Sequence, residues 1–183
     1  MTSQILTAGF GGQGILFSGK LLAYKALSEG KELSWLPSYG PEMRGGTASC
    51  SVTISDESVG SPIIDNPDVL IVMNLPSLDK YEKTVKKGGV IFVDSTLIGR
   101  KVERNDVKAF YIPATKMAQN MGTPNLANIV LLGKVLHSLF AGISEQTLNS
   151  LVSYAQILSF CVGIMTILVS IIKMLCQNFM KVL

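Results

Sequence analysis

Gly9-Phe10-Gly11-Gly12-Gln13-Gly14 constrains this chain more than any other stretch. It follows an apolar run at residues 5–8 and opens into Ile15-Leu16-Phe17, the start of a helical pattern. The order predicts a strand, a tight glycine turn and a helix. Gly9, Gly11 and Gly14 fit G-x-G-x-x-G, the phosphate-cradling turn of nucleotide-binding α/β domains. Glycine permits positive φ and close approach of a ligand to the backbone. The helix N-terminus behind it offers unpaired N–H groups and a partial positive charge to an anion. Two readings stay open at this point: a phosphate or pyrophosphate site, and a turn that only lets helix and strand pack closely.

The pattern downstream predicts an α/β fold, a Rossmann-like open sheet that is mostly parallel, with helices on both faces and an antiparallel excursion. A first helix is expected over 15–29, with Phe17, Leu21 and Tyr24 on one face and Gly30 ending it. A second strand is expected over 33–39. A nicotinamide dinucleotide site carries an acid at the end of that strand; here the region reads Ser34-Trp35-Leu36-Pro37-Ser38, and Glu32 lies at the wrong end. Residues 48–55 alternate apolar and polar, the mark of a half-exposed antiparallel strand that puts Cys50 on its packed side. Residues 60–64 read as a short return strand. Val69-Leu70-Ile71-Val72-Met73 and Val90-Ile91-Phe92-Val93 are continuous apolar runs, as in strands buried on both faces. Asn74 follows the first, at the end where open sheets place ligands. Pro76-Ser77 opens a helix of about ten residues. Asp94 ends the second run, where a cap or turn role outweighs catalysis. A strand at 107–112, a short helix at 113–119 and a helix at 126–139 follow. His137, the sole histidine, has no visible catalytic partner and reads as a helix-face or interface residue.

Tyr39-Gly40-Pro41-Glu42-Met43-Arg44-Gly45-Gly46-Thr47 is a glycine-flanked loop with a single arginine. Arg44 has the forked geometry that suits phosphate or carboxylate; an ion pair with Glu42 that shapes the loop is the other reading.

Charge and cysteine usage exclude several classes. The net charge of +3, with no run of Lys and Arg, gives no case for nucleic acid. Cys50, Cys161 and Cys176 are too far apart for a disulfide framework, a zinc site or an iron–sulfur site. The N-terminus has no secretion signal, so reduced thiols in the cytoplasm are expected. Glu145 is the last acid, and only Lys173 and Lys181 are charged after it. Residues 157–172 carry no charge. That tail reads as a membrane anchor, as a helix buried against partner subunits, or as a stretch out of register with the rest. The chain therefore divides into a domain at 1–148 and an atypical apolar tail at 149–183.

Taken together, the glycine loop, the segment Pro37-Ser38-Tyr39-Gly40-Pro41-Glu42-Met43-Arg44-Gly45-Gly46-Thr47-Ala48 and the run Gly60-Ser61-Pro62-Ile63-Ile64-Asp65-Asn66-Pro67-Asp68-Val69-Leu70 resemble one family. It is the gamma subunit of 2-oxoacid:ferredoxin oxidoreductases, in the 2-oxoglutarate and branched-chain (ketoisovalerate) branch. Asn74-Leu75-Pro76-Ser77-Leu78-Asp79-Lys80-Tyr81 and Ile112-Pro113-Ala114-Thr115 extend the match, which covers residues 4–145. The family ends in a charged amphipathic helix, and the apolar tail departs from that. The resemblance implies a subunit, inactive alone, of an enzyme that oxidatively decarboxylates a 2-oxoacid to an acyl-coenzyme A and reduces ferredoxin. It implies alpha, beta and delta-type partner subunits carrying thiamine diphosphate and the iron–sulfur clusters, and a role here in holding coenzyme A. Carried onto this sequence, Gly9, Gly11, Gly12, Gln13 and Gly14 become phosphate contacts, and Tyr39, Glu42 and Arg44 contacts to ligand or to another subunit. No residue is assigned to catalysis or to a metal, and no membrane association is expected. The alternatives are a free-standing dinucleotide-dependent dehydrogenase and a membrane-anchored interaction protein built on the tail.

Overall fold

The computed structural model describes residues 2–40 and 45–139, with only the backbone given for His137 and Leu139. The chain divides into two units between Leu132 and Gly133. The first holds the whole sheet. Its elements run β1 (Ser3–Phe10), α1 (Ile15–Ser28), β2 (Glu32–Tyr39), β3 (Thr47–Ser55), β4 (Val69–Val72), α2 (Leu75–Tyr81), β5 (Val90–Asp94), β6 (Lys108–Ile112) and α3 (Ala114–Asn120); α4 (Ala127–Leu139) begins in this unit. The expected apolar tail at 149–183, and the domain boundary at 148, lie outside the described residues. Among the described residues no helix is long and apolar enough to cross a membrane.

One six-stranded sheet has the order β2-β3-β1-β4-β5-β6. The β1, β4, β5 and β6 strands are parallel neighbours, while β3 is antiparallel to both β1 and β2. The parallel half is buried because its strands are apolar on both sides: all of Val69 to Val72 is buried, as is Ile91 to Asp94. Helices cover both faces. Leu6 and Ala8 pack with Leu70, Val72, Ile91, Val93 and Leu78 of α2. Thr7, on the opposite pleat, pairs in register with Cys50 of β3. A Cβ placed on Gly19 of α1 would stand 2.3 Å from the Cys50 Sγ. Helix α1 therefore lies directly on that face, and only glycine fits at the contact.

Two expectations are corrected. Helix α1 does not bury Phe17; that residue is 38% exposed. Of that expected face Leu21 is buried, together with Ile15, Ser18, Gly19, Leu22, Ala23, Lys25 and Ala26, and the small members bring the helix close to the sheet. Residues 60–64 form no strand. Pro62 lacks a donor for a ladder, and both sides of β1 are already taken by β3 and β4. In the sheet β3 stands between β1 and β2, so the first two strands are not neighbours.

Candidate anion-binding site

Strand β1 ends at Phe10, and α1 begins at Ile15 after a turn of four residues. Gly12 has φ +98 and Gly14, the N-cap of α1, has φ +74, a left-handed conformation that strains any residue with a Cβ. No side chain caps α1. The first helical bond runs from Ser18 N–H to the Gly14 carbonyl at 3.0 Å. The N–H groups of Gly12, Gly14, Ile15, Leu16 and Phe17 donate to no other described residue. They form a cluster of backbone donors at the positive end of a 14-residue helix. The first acid in the chain is Glu29, so nothing in residues 1–28 opposes an anion there.

The turn is held from three sides. The Gln13 side chain reaches back within it: Oε1 accepts from Phe10 N–H at 2.6 Å, and Nε2 donates to the Met73 carbonyl at 3.0 Å. Its own N–H goes to the Phe10 carbonyl. Gln13 thus ties the turn to the end of β4. On the second side, Gly11 donates to the Gly46 carbonyl at 2.8 Å and accepts from Gly45 N–H at 3.3 Å. This continues the β1–β3 ladder beyond Phe10↔Thr47 and puts the C-terminal stem of the 40–47 loop against the turn. On the third side, Asn128 of α4 donates from Nδ2 to the Gly14 carbonyl at 3.1 Å. The sequence reading did not single out Asn128. Its signal was an amide inside the apolar run Leu126-Ala127-Asn128-Ile129-Val130, since a buried amide needs a hydrogen-bond partner.

The remaining sequence-expected residues divide. Gly9 sits at the end of β1, where a Cβ would meet Gln13 Oε1 and Ile15 Cδ1 at 2.6 Å, so its absence of side chain makes room for the Gln13 brace. Tyr39 ends β2 across from Ala48 and is 53% exposed, two strands from the turn. Glu42 and Arg44 lie outside the described residues, so neither their expected ion pair nor their expected contacts have a structural description here. Arg44 directly precedes Gly45, which is bonded to the turn.

The two polar groups at the ends of β4 and β5 are engaged in local structure. Asn74, 3% exposed, accepts from Ser77 N–H through Oδ1 at 2.8 Å and caps α2. Asp94, fully buried, accepts from Thr96 N–H at 3.0 Å, from Thr115 N–H at 3.2 Å and from Thr115 Oγ1 at 2.5 Å, capping α3. Cys50 lies on the packed side of β3, and burial pushes its thiol up to about 11. It is a packing residue and not a thiolate at neutral pH. Among the described residues no group of three His, Cys, Asp or Glu side chains is placed to hold a metal ion.

Position β3 also bears on dinucleotides. In a dinucleotide fold the strand beside β1 carries the ribose-binding acid at its C-terminal end. Here that neighbour is antiparallel, and its N-terminal stem, Gly45-Gly46-Thr47, meets the turn. No acid stands in that stem.

The chain matches the family model described as pyruvate ferredoxin/flavodoxin oxidoreductase over residues 4–155. It is 44% identical over 151 residues to the ketoisovalerate oxidoreductase subunit VorA of Methanothermobacter thermautotrophicus, covering 82% of this chain and 31% of that protein. It is 41% identical over 136 residues to the 2-oxoglutarate synthase subunit KorC of Methanocaldococcus jannaschii, covering 73% of each. The chain thus spans about 31% of the length of the VorA relatives and most of the KorC relatives. Among solved structures, it is similar to the gamma subunit of a keto/oxoacid ferredoxin oxidoreductase from Geobacter sulfurreducens, with TM-score 0.71, 31% identity and coverage of 84% and 85% of the two chains. It is also similar to the 2-oxoglutarate:ferredoxin oxidoreductase of Magnetococcus marinus solved with 2-oxoglutarate, coenzyme A and succinyl-CoA, with TM-score 0.79, 25% identity and coverage of 97% of this chain and 31% of that one. The glycine turn, the parallel half-sheet and these matches agree, and the chain belongs to the pyruvate ferredoxin/flavodoxin oxidoreductase family.

Proposed function

We propose that this chain is a subunit of a 2-oxoacid:ferredoxin oxidoreductase of the 2-oxoglutarate or ketoisovalerate branch, and that its glycine turn binds the pyrophosphate of coenzyme A. The observation that carries the reading is the cluster of five backbone N–H groups at the uncapped N-terminus of α1, in a stretch free of acids. A pyrophosphate carries several acceptor oxygens and negative charge, and such a cluster supplies donors and a positive dipole end. In this reading thiamine diphosphate and iron–sulfur clusters on partner subunits would supply the decarboxylation chemistry and carry the two electrons to ferredoxin, and the coenzyme A thiol would take the acyl group. This chain's part is to bind and orient. Gly12 and Gly14 give the backbone its left-handed turn, Gly9 leaves room for Gln13, Gln13 and Gly11 brace the turn, and Gly45 and Gly46 are hydrogen-bonded against it. Tyr39, Glu42 and Arg44 are assigned to contacts with ligand or with another subunit.

The test is steady-state kinetics of the assembled complex carrying Gly12→Asp in this chain. The expected result is a rise of at least about tenfold in KM for coenzyme A, with KM for the 2-oxoacid within twofold. An unchanged KM for coenzyme A refutes the assignment. Failure of the chain to co-purify with thiamine- and cluster-bearing subunits refutes the subunit role.

A further inference from the structure

The two edges of the sheet are finished differently. Strand β6 closes one edge with five residues and a lysine, Lys108, at its start. Short edge strands and edge lysines keep a sheet from pairing with other chains. Strand β2, at the other edge, runs for eight residues and has no charged side chain after Glu32. Its pairing with β3 fixes which way its backbone points. Gly40 N–H donates to the Thr47 carbonyl at 2.8 Å, and the register continues unbroken from Tyr39↔Ala48 to Glu32↔Ser55. Bonded pairs alternate along an antiparallel ladder. Ser34, Leu36 and Ser38 therefore bond to β3, and Leu33, Trp35, Pro37 and Tyr39 turn their backbone outward. Pro37, which has no N–H, stands at one of the outward positions. The N–H groups of Leu33, Trp35 and Tyr39 have no partner among the described residues. Large apolar side chains are exposed on the same strand: Trp35 and Tyr39 on the face that carries α1, and Leu36, 40% exposed, on the opposite face.

We propose that β2 is a homodimer seam, pairing antiparallel with β2 of a second copy of this chain about Leu36. The inference is independent of the ligand of the glycine turn. In that register the strand is complementary to itself. Leu33 faces Tyr39 and Trp35 faces Pro37 across the seam, and all of these turn their backbone outward. The free N–H groups of Leu33, Trp35 and Tyr39 then reach the carbonyls of Tyr39, Pro37 and Leu33 in the second copy. Only the Trp35 carbonyl goes without a donor, because Pro37 has none to give. Opposite residues share a face of the sheet, so each exposed apolar side chain meets an apolar one: Trp35 the Pro37 ring, Tyr39 Leu33, and Leu36 its own copy. Moving the centre by one residue sets Leu36 against Ser34 or Ser38 instead. Glu32 faces Gly40, so no like charges are opposed. The helices leave room for the seam. Gly19 of α1 lies over Cys50 of β3, and from β3 to β3 across the seam is three strand spacings, about 14 Å. Helices touch at about 8–10 Å, and Trp35 and Tyr39 of both copies fill the difference.

The experiment uses the full chain in a Cys161→Ser, Cys176→Ser background, carrying either Leu36→Cys or Ser38→Cys, under mild oxidation. At the centre of the seam the two Leu36 Cα atoms stand about 4.5 Å apart, within reach of a disulfide. Ser38 lies opposite Ser34 of the second copy, so two cysteines at 38 are four residues out of register, more than about 13 Å apart. The expected result is covalent dimer formed at least about tenfold faster by Leu36→Cys than by Ser38→Cys. Equal rates, or no cross-link at position 36, overturn the proposal. Sedimentation equilibrium of the otherwise unaltered chain gives the second reading. A single-strand seam belongs with small interfaces, so a Kd of about 1–100 μM is expected, weakened at least about tenfold by Leu36→Lys, which sets two ammonium groups against each other. Association that Leu36→Lys leaves unchanged runs through another surface and overturns the proposal. So does a Leu36→Lys chain that no longer co-purifies with other subunits while Leu36→Cys forms no dimer, since the edge then pairs with a strand of a different chain.

Discussion

Three helices start at the C-terminal edge of this sheet, and they start differently. Helix α2 is closed by Asn74, and α3 by the buried carboxylate of Asp94. Helix α1 has no side chain at its N-terminus, two left-handed glycines in its approach, and backbone donors that reach no described group. The same chain that caps two helices with side chains leaves the third to its backbone. A helix N-terminus needs its first N–H groups satisfied by something. Where a side chain supplies the acceptor the end is structural; where three glycines and an acid-free approach withhold one, the end suits a ligand.

The comparison breaks most severely at Gly14. A Cβ there would stand 2.4 Å from Asn128 Nδ2, and the residue has φ +74. Gly14→Val is expected to cost about 2–5 kcal/mol from left-handed strain and overpacking together, read as a large fall in Tm. Next comes the capped side. Asp94→Ala removes three accepted hydrogen bonds and leaves Thr96 and Thr115 donors without an acceptor, for a loss of about 3 kcal/mol in urea unfolding; affinity for pyrophosphate is expected within twofold. Asn74→Ala should cost about 1 kcal/mol, the usual value of an N-cap. It sharpens the comparison further, because it uncaps α2 without giving it a glycine turn, and no new anion site should appear there. The smallest effect concerns how firmly α1 stays docked. Cys50 lies beneath Gly19, and its thiol is raised to about 11. In a Cys161→Ser, Cys176→Ser background, iodoacetamide should label it at pH 8 only as fast as the protein unfolds; rapid labelling of the native state would show that α1 lifts from the sheet.

The glycine turn and the parallel strands were legible in the sequence, because each is local. Val69 to Val72 and Val90 to Val93 are apolar at every position, and only a strand covered on both faces needs that. The Asp94 cap was legible for the same reason, as an acid at a strand end before a turn. Sheet order was not. Nothing local in residues 47–55 states that this strand inserts between the first two, since its alternation specifies a half-buried strand and not a neighbour. The face of α1 was legible at Leu21, which is buried, and not at Phe17, which shares its helical face and is exposed. The face that packs is lined by Ser18 and Gly19, whose value is smallness, and hydrophobicity does not report smallness. Gln13 was legible as part of the turn, and its use as a brace to Met73 was not, because that contact spans 60 positions of sequence.

Calorimetric titration of the full chain with coenzyme A, unaltered and with Gly12→Asp, tests directly whether the open end of α1 binds the coenzyme A pyrophosphate. At Gly12 a new side chain meets nothing within 4 Å, so the variant keeps its packing and carries only the strain of φ +98, about 1–2 kcal/mol, and a negative charge set against the anion. The account predicts saturable binding by the unaltered chain and at least about tenfold weaker binding by a variant that remains folded. Equal affinity of the two for coenzyme A would contradict it.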